Sequence, residues 1–349
     1  KPTGLKVWEV LSGPSSVVIS NTGATQARME FNMPGDYEVQ LTITVQDGSG
    51  ASATDTKNIT ILHVDVPPPE IPDPPAGAIF ITGNQPNGIT VPAGKHYVIQ
   101  GHVTTPKSVV VYGKLWGREK YGSDLHFTNI NNSLFQGGVF NPDTDIGLWV
   151  EGAGALDYRG NPKLTWGYGV KGDPTWGRGD ETVIAPMTFT ETGTNGFAQY
   201  LPGSAIRTMP NGVPLPTFNL SRGVKMRGEP GHFAHYRNVS TAQRNEFLDY
   251  CEISYFGVDA LGRYPVHHHM RGDASRGTIH HGLVVKHSQQ HAFVAHMSDG
   301  LTFEDCIAYD ITADPYWYDR TARSDPGEPT GPSSETNDLH YVRCVAAWH

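Results

Sequence analysis

Four short apolar runs in the second half of this 349-residue chain share one layout. They are Phe247-Leu248-Asp249-Tyr250-Cys251-Glu252-Ile253-Ser254, Thr278-Ile279-His280-His281-Gly282-Leu283-Val284-Val285, Leu301-Thr302-Phe303-Glu304-Asp305-Cys306-Ile307-Ala308-Tyr309 and Leu339-His340-Tyr341-Val342-Arg343-Cys344-Val345-Ala346. Short runs rich in β-branched and aromatic residues, bounded by turn formers, read as strands. Setting Gly282 against Cys306 gives a spacing of 24 residues, the length of one coil in a parallel β-helix with short strands. Wider gaps hold insertions. Residues one coil apart then stack along the axis, which turns sequence spacing into proximity.

The rest of the chain agrees with an all-β protein. Forty glycines, 26 prolines and only 17% charged residues favour short strands and turns, and few windows carry helical periodicity beyond ten residues. The three cysteines, Cys251, Cys306 and Cys344, fit no zinc spacing, and their similar contexts point to equivalent inward strand positions rather than disulfides. A net charge of −9 without a Lys/Arg cluster argues against nucleic acid as a partner. No apolar run of 18 residues exists to span a membrane. The chain starts at Lys1 and ends inside an apparent strand, Val342–Trp348, so it reads as a fragment or a processed piece. Nothing in the sequence sets the oligomeric state.

Four segments follow from the patterning. Residues 1–65 alternate apolar and polar in Lys6–Val10, Ala27–Phe31, Tyr37–Val45 and Lys57–Ile61, separated by Pro-Gly-Asp and Asp-Gly-Ser-Gly turns, as half-buried antiparallel strands do. The linker is 66–76, where six prolines in Val66–Pro75 hold the backbone extended. Residues 77–166 hold short strands such as Val109–Leu115 and Gly147–Gly152 with glycines at the corners, where positive φ is needed. Residues 167–349 begin with an irregular stretch to about Gly212 and continue into the parallel β-helix.

Chemistry concentrates in the β-helix. Twelve of the sixteen histidines lie between His232 and His349, and three are consecutive in Val266-His267-His268-His269-Met270. Each imidazole brings two nitrogens that need partners, so such a run is costly as filler. Laying Val266–Met270 on Val294-Ala295-His296-Met297 offsets His269 and His296 by 27, and the next step, 23 further, reaches Asp319 in Tyr316-Trp317-Tyr318-Asp319. His269, His296 and Asp319 are then expected on one face in successive coils, with strands about 4.8 Å apart. His267 points to the same side and His268 to the other. Three imidazoles and a carboxylate can surround a divalent metal ion, zinc-like or calcium, or place a general acid and base across a sugar bond. The same residues can also merely stack. Tyr316 and Trp317 read equally as core or as a platform for a pyranose face. Arg118 and Asp124, in Trp116-Gly117-Arg118-Glu119 and Ser123-Asp124-Leu125-His126, are candidate groove residues, Arg118 as a bidentate partner for a uronate or as an ordinary ion pair.

Several motifs carry a resemblance. Pro34-Gly35-Asp36-Tyr37 with Leu41–Val45 and Asp47-Gly48 resembles the PKD-type immunoglobulin-like domain of bacterial surface proteins. Residues 77–166 resemble the G8 domain. Gly262-Arg263-Tyr264-Pro265-Val266-His267-His268-His269-Met270 with Gly272-Asp273 resembles the G-x-Y-P-I-H-F-H-x-x-G-D motif of the family containing cell-migration-inducing hyaluronidase and transmembrane protein 2. Ile279-His280-His281 through His296 and Asp299-Gly300 is similar to that family's next coil, and Glu252–Gly257 to its E-V-x-x-x-G. Two departures stand out: His268 replaces an aromatic, and the family's F-F-x-E-D is Tyr316-Trp317-Tyr318-Asp319-Arg320, which leaves one carboxylate. The resemblance implies a right-handed parallel β-helix, a secreted or cell-surface setting and an enzyme degrading an acidic polysaccharide. Its site would hold His267, His269, His296 and Asp319, with Arg118, Asp124, Arg263, Tyr316 and Trp317 toward substrate. The alternatives are a polysaccharide lyase, or a non-catalytic glycan-binding or structural surface protein with a stabilising metal.

Overall fold

The computed structural model describes residues 4–61 apart from 14–16, 21–27, 32–34, 46–48 and 50, then residues 71–347 apart from 136–139, 169–179, 185–196, 200–215 and 320–335. Part of the proline-rich linker (66–70), most of 167–212 and Arg320 therefore lie outside the described residues. The chain divides into two compact units, Lys1–Glu70 and Ile71–His349. All regular structure described is β, apart from three single-turn 3₁₀ segments.

In the first unit, Gly35–Val45 is flanked antiparallel by Gly4–Ser12 and Ser52–Ile61, and Val17–Ser20 pairs antiparallel with Arg28–Phe31. The alternation in Tyr37–Val45 buries Tyr37 and Val39, at 1% and 3% exposure.

The second unit is a parallel β-helix. One wall stacks Asp124–Phe127, Val224–Arg227, Cys251–Ser254, Val284–Ser288, Ile307–Ile311 and Val345–Ala347, all parallel. A second wall stacks Ile89–Val91, Val109–Val111, Leu148–Val150, Tyr236–Asn238, Val266–Gly272, Phe293–Ser298 and Tyr316–Asp319. A third ladder joins Ile279–His281, Thr302–Glu304 and His340–Val342. Strand His96–Thr105 joins the first wall to a further parallel ladder of Lys114–Arg118, Ala155–Arg159 and Glu246–Asp249, because its first half pairs with Lys114–Arg118 and its second with Asp124–Phe127. Gly101, at φ +68, sits at that bend. The strands of residues 77–166 thus belong to the same parallel sheets as the later coils.

Inward side chains of every coil, among them Val103, Leu125, Tyr158, Met226, Ile253, Val285 and Phe303, form one continuous apolar core. A second, smaller core lies where the antiparallel sheet of Trp166–Tyr168, Glu181–Ile184, Phe197–Gln199 and Pro216–Asn219 covers the outside of the first wall: Val183 and Phe218 pack on Val284 and Ile307. Strand Val284–Ser288 is therefore buried on both faces from Val284 to Lys286 and does not alternate there.

The coil spacing differs by one from the sequence alignment. Val284 pairs with Ile307, so Leu283, not Gly282, lies opposite Cys306, and the repeat there is 23 residues. Cys306 in turn stacks on Cys344, because Ile307 pairs with Val345. All three cysteines are free thiols. Gly282 instead occupies the corner, in one axial row with Tyr250, Asp305 and Arg343. All four have positive φ, between 48° and 57°. Glycine tolerates that conformation freely, while the other three bear about 1–2 kcal/mol of strain each. A ladder of backbone bonds holds them there: Tyr250 N–H to His281, Gly282 N–H to Glu304 and Asp305 N–H to Val342 carbonyls.

Candidate metal centre

Strand Val266–Gly272 sends alternate histidines to opposite sides of the second wall. His268 enters the helix interior, and His267 and His269 leave it. Val266 pairs with Phe293 and His269 with His296, so the expected offset of 27 is the register found. His296 pairs in turn with Asp319. Met270 and Met297 follow the paired histidines, both at positive φ, and the register slips between His269 and Gly272. The strands bend away directly after the site.

Outside the wall, His269 Nδ1 is 3.2 Å from His267 Nε2 and 3.1 Å from His296 Nδ1. The His267 and His296 rings lie parallel, 6.1 Å between centroids, with His269 edge-on to both. One nitrogen from each ring lies within 4.8 Å of the other two. His267 is fully buried, His269 is 3% exposed and His296 is half-buried. Tyr264 packs edge-on to His267, and Phe140 covers His269. Burial, reinforced by His269 and His296, holds His267 well below the usual imidazole range, so its nitrogen is a neutral lone-pair donor. Its Nδ1 has no hydrogen-bond partner among the described residues. Three converging imidazoles of this kind fit a divalent ion of the zinc class and suit calcium poorly, since calcium takes oxygen ligands. The Asp319 side chain lies outside what the structure describes; only its backbone register places it beside His296.

The aromatic segment splits. Tyr316 is core: it stacks on Phe293 at 5.1 Å, and its hydroxyl donates to the Cys306 and Val345 carbonyls. Trp317 lies on the outer side, stacked on His291 at 4.3 Å with an 8° angle between planes, and Tyr318 is 56% exposed.

The three remaining expected groove residues are placed elsewhere, which corrects that expectation. Arg118, 3% exposed, donates to the carbonyls of Pro72, Gly117 and Asp157 and pairs with the Asp157 carboxylate at 2.8 Å. It clamps two coils and the start of the unit, and no face remains for a uronate. Arg263, 1% exposed, pairs with Asp145 at 2.7 Å and lies over the rings of Phe135 and Phe140. It supports the covering of His269 from within. Asp124 faces outward on the first wall, where it accepts from Arg227 and His102. Burial alone would raise its pKa; Arg227 and His102 outweigh that and keep it below the usual carboxylate range.

Two features escaped the sequence reading. A cleft of about 500 Å³ lies on the first wall, lined by Arg227, Glu229, Glu252, Lys286 and His287, away from the histidine triplet. Within it Lys286 bridges Glu181 and Glu252 at 2.6 and 3.3 Å. Inside the helix, His268 and His280 meet Glu246, all three fully buried. Glu246 falls one residue before the run read as a strand, but its period-two relation to inward Leu248 was the available signal.

A parallel β-helix bearing a triplet of outward histidines on adjacent coils is the class that fold and site define. Within it, residues 231–318 match the family model described as CEMIP beta-helix, a stretch that contains both histidine groups. Over 86 residues, 23% of this chain, the sequence is 33% identical to the human cell surface hyaluronidase CEMIP2. The matched stretch spans only 6% of that protein. No helix among the described residues is long and apolar enough to cross a membrane.

Proposed function

We propose that this chain belongs to an extracellular polysaccharide-degrading enzyme, an endo-acting glycosidase of hyaluronidase-like type with an acidic glycan as substrate. The observation that carries the reading is the convergence of His267, His269 and His296 on one outer face, beside Trp317, within residues 231–318, which match the CEMIP beta-helix family model. In this reading the three imidazoles, with Asp319 in register, hold a zinc-like ion that would polarise an oxygen or activate water. In the acid–base alternative, without an ion, His296, the least buried of the three, would hold or move a proton at the solvent side, with His269 positioning it from behind. The Trp317–His291 stack, on the same outer side as the triplet, offers an apolar face for a sugar ring. Residues 1–65 act as a PKD-type spacer and 77–166 as a G8-type segment.

One observation favours a second reading. His267 and His269 are buried, as ligands of a closed stabilising ion would be, which fits a non-catalytic glycan-binding or structural surface protein. Incubation with a panel of acidic and neutral polysaccharides separates the readings. Shortened products without unsaturated-uronate absorbance mean a hydrolase, and with it a lyase; no shortening by metal-loaded protein leaves the structural reading standing.

A further inference from the structure

We propose that Glu246, His268 and His280 form a second divalent-metal site, closed inside the β-helix and separate from the outer triplet, for an ion of the zinc class. The three residues come from strands Glu246–Asp249, Val266–Gly272 and Ile279–His281, which belong to three different hydrogen-bonded sheets. One ligand atom from each lies within 4.8 Å of the others, and all three side chains have 0% exposure. Phe303 packs against both imidazoles and separates the group from the apolar core beyond.

The orientation of each group points at one spot. His268 Nε2 and His280 Nε2 face each other at 3.0 Å, close to the roughly 3.3 Å between two ligands on one tetrahedral zinc. Glu246 uses Oε2 for Asn238 Nδ2, and that oxygen also lies 3.4 Å from His268 Nδ1 and 3.8 Å from Arg271 Nη1. Its Oε1 is buried with no hydrogen bond of good geometry among the described residues and lies 3.9 Å from His280 Nε2, while the buried Tyr236 hydroxyl also interacts with this carboxylate. Two ring nitrogens and the unused carboxylate oxygen therefore converge. Arg271 sits on the Oε2 side and is anchored to the carbonyls of Ser240, Ala242 and Ala274 and to Asn245.

Without an ion the best arrangement is a chain in which His280 Nε2–H donates to His268 and His268 Nδ1–H leans toward Glu246. Glu246 Oε1, His268 Nδ1 and His280 Nδ1 all remain without a hydrogen bond of good geometry in a dry interior, which is costly for each. The residue that completes the group is His268, the inward member of the consecutive histidines.

Elemental analysis of protein expressed and refolded with zinc, then dialysed into metal-free buffer, tests this. The His267→Ala/His296→Ala double variant removes the outer triplet, so its metal content reports the interior alone. It is expected to retain one equivalent, and adding His268→Phe, which fills the site with an aromatic, is expected to remove it. Glu246→Gln, nearly isosteric, serves as a second deletion with the same expected loss should the first fail to fold. X-ray absorption of the retained ion should show two imidazoles and an oxygen ligand. A double variant holding no metal, or holding the same amount after either interior substitution, overturns the proposal, and neither result bears on catalysis at the outer face.

Discussion

His269 and His296 are register partners on adjacent coils, and their Nδ1 atoms lie 3.1 Å apart. Two ring nitrogens so close need either a shared proton or a shared cation, and His267 Nε2 at 3.2 Å from the same His269 atom adds a third claimant. His269 is thus the hub of the group. Its replacement by Ala is expected to lower glycan cleavage by at least about 10²-fold, the contribution of a positioned acid–base or ligand group. Circular dichroism should show unchanged β content. Undiminished turnover would sink the assignment of activity to this face.

The outer metal is tested through its ligands. Elemental analysis should show the wild type losing one equivalent of divalent ion in the His267→Ala/His296→Ala variant. Should the content stay the same, the triplet works by acid–base exchange or as a stack alone.

Acid lability follows from His235. Its Nε2–H donates to the Asp145 carbonyl at 3.0 Å, and Trp149 covers the ring edge-on. Burial, with Arg263 adding to it, pushes its pKa down to about 3 from 6.5. Between those values the unfolded chain binds a proton that the folded chain does not, so stability declines as pH falls below about 6.5 and levels off near 3. The slope from this residue approaches about 1.4 kcal/mol per pH unit. His281 works in the opposite sense: Asp249 raises its pKa, so its contribution is present in acid and fades as pH rises through the raised value. Denaturation midpoints across this range should fall in acid for the wild type and fall by about one proton less in His235→Gln. Parallel curves would show that His235 is not the group responsible.

Much of this arrangement was legible in the sequence. The coils differ in length, so the offsets of 27 and 23 that bring His269, His296 and Asp319 into register come from matching the apolar residues three positions before each, Val266, Phe293 and Tyr316. The alignment of Gly282 on Cys306 is off by one, because the corner row accepts Tyr250, Asp305 and Arg343 in the same conformation as Gly282 and no residue type marks it in the sequence. Arg118 and Arg263 read as surface cations because nothing local reveals their buried acceptors: Asp157 and Asp145 lie 39 and 118 residues away in sequence. Glu246 was hidden for the same reason, its partners being 22 and 34 residues downstream by numbering (268 − 246 and 280 − 246) and on other sheets.

The Arg263–Asp145 pair gives a stability test. Both side chains are at most 1% exposed. Arg263→Met leaves a carboxylate uncompensated and should cost about 3–5 kcal/mol, while replacing both residues by apolar ones should cost less than the two single changes summed. Equal, additive losses in urea titrations would mean that the two charges do not depend on each other.

Two glycines should fail for different reasons when replaced. A Cβ on Gly147 would lie 2.1 Å from the His235 carbonyl oxygen and within 3.0 Å of two more backbone atoms of the next coil. Gly147 N–H also accepts no freedom to shift, being bonded to Ser108 Oγ while its carbonyl takes the Val109 N–H. Gly94 has nothing within 4 Å, but its φ is +72°. Gly94→Ala should therefore cost about 1–2 kcal/mol from conformation alone, and Gly94→Asn, better suited to that region, should recover part of it. Gly147→Ala should cost about 3 kcal/mol or more, because one coil must move off the next, and Asn there should be worse rather than better. If Asn rescued Gly147 as it rescues Gly94, backbone conformation rather than coil-to-coil contact would be the constraint, and the close stacking of Gly147 on His235 would not be what fixes the spacing behind the histidine face.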